Sequence, residues 1–122
     1  MRRWFAFAAI NGALAVAAGA FAAHGLKARL SPEMLAVFDT GARYHLIHAV
    51  ALAIAALAAE RFAPQPARLS AGLFATGIVL FSGSLYLLAL TGVRGFGFVT
   101  PLGGVAFIAG WLALAWSALK RA

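Results

Sequence analysis

His24, Tyr44, His45, His48, Ser82, Ser84 and Tyr86 are the side chains of this sequence best suited to chemistry, with Thr100 and Asn11 beside them. Their spacing is informative. His45 and His48 stand three apart; Tyr44 and His48, like Ser82 and Tyr86, stand four apart. On a helix each pair shares a face. Two histidines on one face, joined by a third from another helix, are a donor set for zinc or copper. The same residues near a membrane surface commonly form interhelical hydrogen bonds or an interfacial belt, which is the plainer reading. Asn11 reads as an interhelical hydrogen-bonder, and Trp4, Trp111 and Trp116 as belt or packing residues. The sequence has no cysteine, which removes disulfides, thiolate sites and cysteine nucleophiles. No Gly-x-Ser-x-Gly, phosphate-loop or His-Glu-x-x-His pattern is present, so a hydrolase has nothing to rest on. No cofactor is specified.

The elements that must position these groups are set by composition. Of the 122 residues, 64% are hydrophobic and 11% charged, whereas a soluble domain has about a quarter of its residues charged. A small water-soluble domain has too much surface for its volume to hide so much apolar area, and lipid removes that constraint. Four stretches lack Asp, Glu, Lys and Arg: Trp4 to Ala23 (20 residues), Tyr44 to Ala59 (16), Leu69 to Val93 (25) and Gly95 to Leu119 (25). Crossing about 30 Å of hydrocarbon takes about 20 residues. The first, third and fourth suffice. The second covers about 24 Å and must borrow a turn from before Tyr44 or from Glu60 and Arg61. Spans of about 4–23, 44–61, 69–91 and 100–119 follow, within one integral membrane domain over residues 1–122. A cleaved signal peptide is the alternative for the first span, with Arg2 and Arg3 as its basic region and Ala20-Phe21-Ala22 as its processing site. The length of the apolar stretch and the three spans behind it favour retention.

Between the first two spans, Ser31-Pro32-Glu33 is a helix start signal. Leu30, Met34, Leu35, Phe38 and Ala42 recur at helical spacing, predicting a short amphipathic interfacial helix over 32–43 that continues into the second span with a bend at Gly41. Pro64 and Pro66 mark a tight polar turn over Glu60 to Arg68. Thr100-Pro101 reads as an N-cap and first-turn proline after the Gly-rich connection from Thr91 to Val99. The fold class is an all-α membrane protein, a four-transmembrane-helix bundle with that interfacial helix.

The net charge of +7 sits at chain ends and in connections. This excludes a nucleic-acid surface and points to lipid headgroups. Arg2, Arg3, Arg61, Arg68, Lys120 and Arg121 fall on the side of the termini, and Lys27, Arg29, Arg43 and Arg94 on the other. Six against four favours cytoplasmic termini in a multi-pass cell-membrane protein. Ala8-x-x-x-Gly12, Gly19-x-x-x-Ala23 and Ala106-x-x-x-Gly110, with Gly72, Gly77 and Gly83, let backbones approach within a chain or between copies of a homo-oligomer.

Threading the chain through these spans gathers His24, Tyr44, His45, His48, Ser82, Ser84, Tyr86 and Thr100 in the outer half of the bilayer, with Asn11 deeper. Polar groups at membrane depth must find partners and often mark function. The reading is a non-enzymatic membrane protein whose outer-leaflet cluster binds a small ligand, a lipid or a partner helix. A small transporter or channel component is the alternative, a metal- or haem-binding protein the third reading, and a purely structural role the fourth.

Several motifs carry a family resemblance. Gly19-Ala20-Phe21-Ala22-Ala23-His24-Gly25-Leu26, Phe38-x-Thr40-Gly41-x-x-Tyr44-x-x-x-His48-Ala49, Phe81-Ser82-Gly83-Ser84-Leu85-Tyr86, Thr100-Pro101-Leu102-Gly103-Gly104 and Gly110-Trp111 run through nearly the whole chain. Together they resemble domain-of-unknown-function family 423, small bacterial multi-span membrane proteins related to transmembrane protein 256. Ala22 stands where that family is expected to have Gly, and His45 where Gln is expected, which weakens a three-histidine metal site. The resemblance implies a plasma-membrane location and a four-helix form, and no activity.

Overall fold

A computed structural model describes residues 1–120, all but the last two residues of the chain. Arg121, counted above with the terminal cations, lies outside the described residues. Four helical segments are long and apolar enough to cross a membrane: Arg2–His24, Pro32–Arg61, Pro64–Thr91 and Arg94–Leu119. Helix α1 spans Arg2–His24 and α2 spans Pro32–Arg61. The third segment comprises α3 (Pro64–Gly77), a π-helical turn over Ile78–Ser82, and α4 (Gly83–Thr91). A 3₁₀ turn over Arg94–Phe98 leads into α5 (Thr100–Leu119).

Helix α2 holds the bundle together. It has α1 on one side and α3–α4 on the other, and α5 packs on α3. Half of its most apolar window is buried, more than in any of the other three segments. Met1 and Arg2 flank Ala56 and Glu60, so α1 and α2 are antiparallel. Ala63 N–H donates to the Ser117 carbonyl at 3.0 Å, tying the start of α3 to the end of α5. The chain therefore runs up and down four times, and both ends emerge on one side.

The expected start signal forms as read: Ser31 Oγ accepts from Met34 N–H at 3.2 Å, with Pro32 in the first helical position. The interfacial helix and the second span are, however, a single helix of 30 residues, about 45 Å long at about 1.5 Å per residue. It exceeds the hydrocarbon by several turns, which explains the charges along its first part. The helix runs through Gly41 without a break. The missing Cβ instead lets α2 lie against α4: a Cβ there would stand 3.1 Å from the Tyr86 ring and 3.2 Å from Leu85 Cβ. Leu30, Leu35 and Phe38 turn inward onto Ala22, Leu26 and Ala89 rather than outward onto headgroups.

Two other local expectations change. Pro64 and Pro66 follow the end of α2 as expected, but the turn is shorter, and both already lie in the first turn of α3, where a missing N–H is harmless. The turn before it is only Phe62 and Ala63. Thr100 does not cap α5; Val99 is the N-cap residue, and the Thr100 hydroxyl is used in a side-chain bond.

The small residues divide into two sets. A Cβ on Gly103 would lie 2.7 Å from Phe81 Cα, and one on Gly110 would lie 2.7 Å from the Phe74 ring, so α5 depends on the first to approach the π turn and on the second to approach α3. Gly12, Gly19 and Gly72 have nothing within 4 Å of a built Cβ and leave room for a side chain. Ser70 Oγ donates to the Gly110 carbonyl at 2.7 Å, a buried bond across the same α3–α5 contact.

Candidate functional site

Near the middle of the bundle, the hydrogen-bonding capacities of a neutral imidazole and its neighbours give one chain of bonds a direction. The Phe7 carbonyl can only accept, so the group 3.0 Å from it is the Asn11 amide nitrogen. Asn11 Oδ1 then faces His45 Nε2 at 2.9 Å and must accept, so Nε2 carries the proton. His45 Nδ1 is therefore bare, and the Tyr86 hydroxyl donates to it at 2.9 Å. Tyr86, His45, Asn11 and Phe7 thus form a one-way series linking α4, α2 and α1, with both His45 ring nitrogens satisfied. Three residues on, His48 adopts the opposite tautomer. Its Nδ1 lies 2.8 Å from the Tyr44 carbonyl and must donate. Its Nε2 accepts from the Trp111 indole N–H at 3.1 Å, linking α2 to α5.

Aromatic rings enclose His48. Phe107 stacks on it with centroids 3.5 Å apart at 9°, Tyr44 stacks at 6.0 Å, and Phe74 and Trp111 close the remaining sides. At the start of α5, Ser84 donates to the Phe81 carbonyl at 2.8 Å, leaving its oxygen to accept from the Thr100 hydroxyl at 2.6 Å.

The structure thus brings together part of the set singled out from the sequence and divides it. Asn11, His45 and Tyr86 form one group; Tyr44 and His48, with Trp111, form a second; Ser84 and Thr100 form a third. His24 stays apart, exposed at the end of α1. Ser82 is wholly buried and faces inward from the π turn, and its Oγ is the one buried side-chain polar atom among the described residues without a partner. Asn11, placed deeper by its position along α1, joins because the His45 side chain reaches back to it. Trp111 is more than a belt or packing residue: its indole N–H has a partner 63 positions away. A strict i,i+4 reading of one helix cannot find such a bond. The only signal in the sequence was its place in the Gly110-Trp111 motif.

Chemically, this arrangement holds positions. The Asn11 amide ends the first series and passes no proton on. Both nitrogens of His48 are engaged. No three of His, Cys, Asp and Glu lie close enough to hold a metal ion among the described residues. Because α1 packs chiefly on α2, the flanks of α4 are open. One groove of about 410 Å³ is walled by Ala17, Ala18, Phe21, Phe38, Tyr86 and Leu90. Another of about 490 Å³, on the other flank, is bounded by Val79, Gly83, Leu87, Phe96 and Val99, again with Tyr86.

Comparison with known proteins matches the chain to one family model, described as a protein of unknown function, DUF423, over residues 18–104. The chain belongs to that family. Among its relatives, the UPF0382 membrane protein YwdK of Bacillus subtilis is 44% identical over 98% of both chains. A UPF0382 membrane protein of Haemophilus influenzae is 42% identical over 97% of this chain and 94% of its own. The UPF0382 inner membrane protein YgdD of Escherichia coli is 42% identical over 93% of this chain and 87% of its own. No solved structure matches significantly. This DUF423 member is an all-α integral membrane protein, and its apolar helices sit in the lipid bilayer.

Proposed function

We propose that this protein is a non-enzymatic membrane protein that holds a lipid acyl chain in the two grooves flanking α4. The observation that carries the reading is that Tyr86 walls both grooves while its hydroxyl is committed to His45. A ligand there meets apolar surface and need offer no hydrogen bond. Such a ligand is what hydrocarbon supplies. In this reading the polar groups set the register of the helices around the grooves, and the ligand meets the Tyr86 ring and Ser84 with their hydroxyls already engaged.

The test uses the protein in nanodiscs containing a phospholipid with a photoreactive acyl chain, with crosslinks mapped by mass spectrometry. Crosslinks concentrated on Phe21, Leu87, Phe96 and Leu90, and reduced by Gly83→Leu, are expected. Crosslinks spread evenly over the exposed faces of α1 and α5 would overturn the reading.

A transporter would need a water path past Asn11 toward the termini. Ala8, Ala51, Leu52, Ala55 and Phe74 pack as a buried apolar layer on that side, which favours the lipid reading. A three-histidine metal or haem site is disfavoured in turn by the engaged nitrogens of His45 and His48. The excess of Lys and Arg at the end bearing the termini supports a cytoplasmic location for both. Alkaline phosphatase fused to the C-terminus is then expected to be inactive. Gly12 and Gly19, open on α1, are the places where a second copy of the chain would pack in a homo-oligomer. Gly19→Leu is expected to abolish crosslinked dimers in liposomes.

A further inference from the structure

We infer that the end of the bundle bearing the termini is a docking surface for anionic phospholipid headgroups. This rests on charge placement and is independent of the acyl-chain grooves, which lie toward the opposite end. Antiparallel packing gathers Arg2 and Arg3 from α1, Arg61 from α2, Arg68 from α3 and Lys120 from the end of α5. All five are exposed, and the one carboxylate at that end among the described residues is Glu60. The opposite end carries four cations against Glu33 and Asp39, and Arg43 is paired with Asp39 at 3.1 Å. That pair is the only salt bridge among the described residues.

A second observation is independent of the count. Cations disfavour a helix N-terminus, because the backbone dipole already places positive charge there. Helix α2 follows the rule, with Glu33 in its first turn and Ser31 as its cap. Helix α1 begins with Arg2 and Arg3 and has neither an acid in its first turn nor a side-chain cap. Helix α3 also lacks both, and Arg68 lies in its second turn. These arginines therefore oppose the fields of their own helices. The C-termini of α2 and α5 at the same end offset part of that field, and the Ser117 carbonyl of α5 accepts from Ala63 N–H at the start of α3. A layer of phosphate groups adds to this, since it is attracted to the exposed guanidinium groups. Helix length puts that layer at the right height: Arg2 and Arg68 flank spans that start there. Glu60 stands beside Arg2 in a narrow groove and lowers the local attraction without reversing it.

The test is retention of phosphatidylglycerol over phosphatidylcholine by the full chain released from mixed nanodiscs, read by native mass spectrometry. Enrichment of phosphatidylglycerol that falls as salt rises is expected, because surface charges are screened within about 10 Å at moderate ionic strength. Each basic residue near an anionic surface is worth about fivefold. The variant Arg2→Gln/Arg3→Gln/Arg61→Gln/Arg68→Gln is therefore expected to lose at least about tenfold of the enrichment. The control Lys27→Gln/Arg29→Gln/Arg94→Gln keeps it. If the fourfold variant does not fold, the salt series on the unaltered protein decides alone. Equal loss in the two variants, salt-insensitive enrichment, or thermal stabilisation by inorganic phosphate equal to that by phosphatidylglycerol would each overturn the proposal.

Discussion

Replacing His45 with Leu tests the central claim about the site. Leu fills much of the space but neither donates nor accepts. Asn11 Oδ1 and the Tyr86 hydroxyl then lose the partners they hold at 2.9 Å. In water-soluble cores an orphaned buried polar group costs about 1–3 kcal/mol. In membranes an interhelical hydrogen bond averages about 0.6 kcal/mol, because polar groups in the unfolded, inserted state also find partners. Two bonds on that scale give about 1.2 kcal/mol, and two orphans at the lower water-based figure give about 2 kcal/mol. The expected loss for His45→Leu is therefore about 1–2 kcal/mol, measured by reversible unfolding in mixed micelles. His45→Gln separates the bonds from the ring. A glutamine amide donates through its nitrogen and accepts through its oxygen, so it can meet both Asn11 and Tyr86, and most of the stability returns. A cycle combining His45→Leu with Tyr86→Phe is expected to show coupling of about 0.6 kcal/mol. If His45→Gln is as damaging as His45→Leu, or if the cycle shows no coupling, the hydrogen-bonded series does not register the helices and the reasoning fails.

Three further predictions use the same unfolding assay. Gly103→Ala drives a Cβ into the Phe81 backbone, which cannot yield as a flexible side-chain tip can, and is expected to cost at least about 1–3 kcal/mol; Gly12→Ala, on an open face, is expected to stabilise by about 0.5–1 kcal/mol. Ser82→Ala removes a buried hydroxyl that has no partner and is expected to be neutral or stabilising, whereas Ser70→Ala breaks the bond to Gly110 and is expected to cost about 1 kcal/mol. Trp111→Phe keeps an aromatic ring against Phe74 but removes the donor to His48, for an expected loss of about 1 kcal/mol; Phe107→Ala removes the ring stacked on His48 and should cost more, about 3–5 kcal/mol.

Much of the architecture is written locally in the sequence. Four charge-free stretches can only be stable across lipid as helices, since each backbone group there must be satisfied within its own segment. Ser31 and Pro32 mark a helix start because a cap acts on residues two or three positions away. The alternation of spans also decides which polar residues share a half of the bilayer, before any packing is considered. That reasoning put His45, His48 and Tyr86 at similar depth.

What local reasoning could not supply depends on contacts between distant residues. The second span looked short because its charged beginning seemed to belong to another element. Only packing shows why the helix continues: Gly41 lets α2 lie on Tyr86 and Leu85, while Leu35 and Phe38 bury against α1 and α4. The π turn that carries Ser82 inward has no signature in residue spacing. The bonds from His45 to Asn11 and from Trp111 to His48 span 34 and 63 positions, and they assign the two histidines opposite tautomers. Residue type and span order therefore determined that this is a four-helix membrane protein with polar groups in its interior. Which of those groups meet, which way each hydrogen bond points, and which glycines face a neighbour were decided by how the helices rotate about their own axes, a variable that short-range sequence pattern leaves open when nearly every face is apolar.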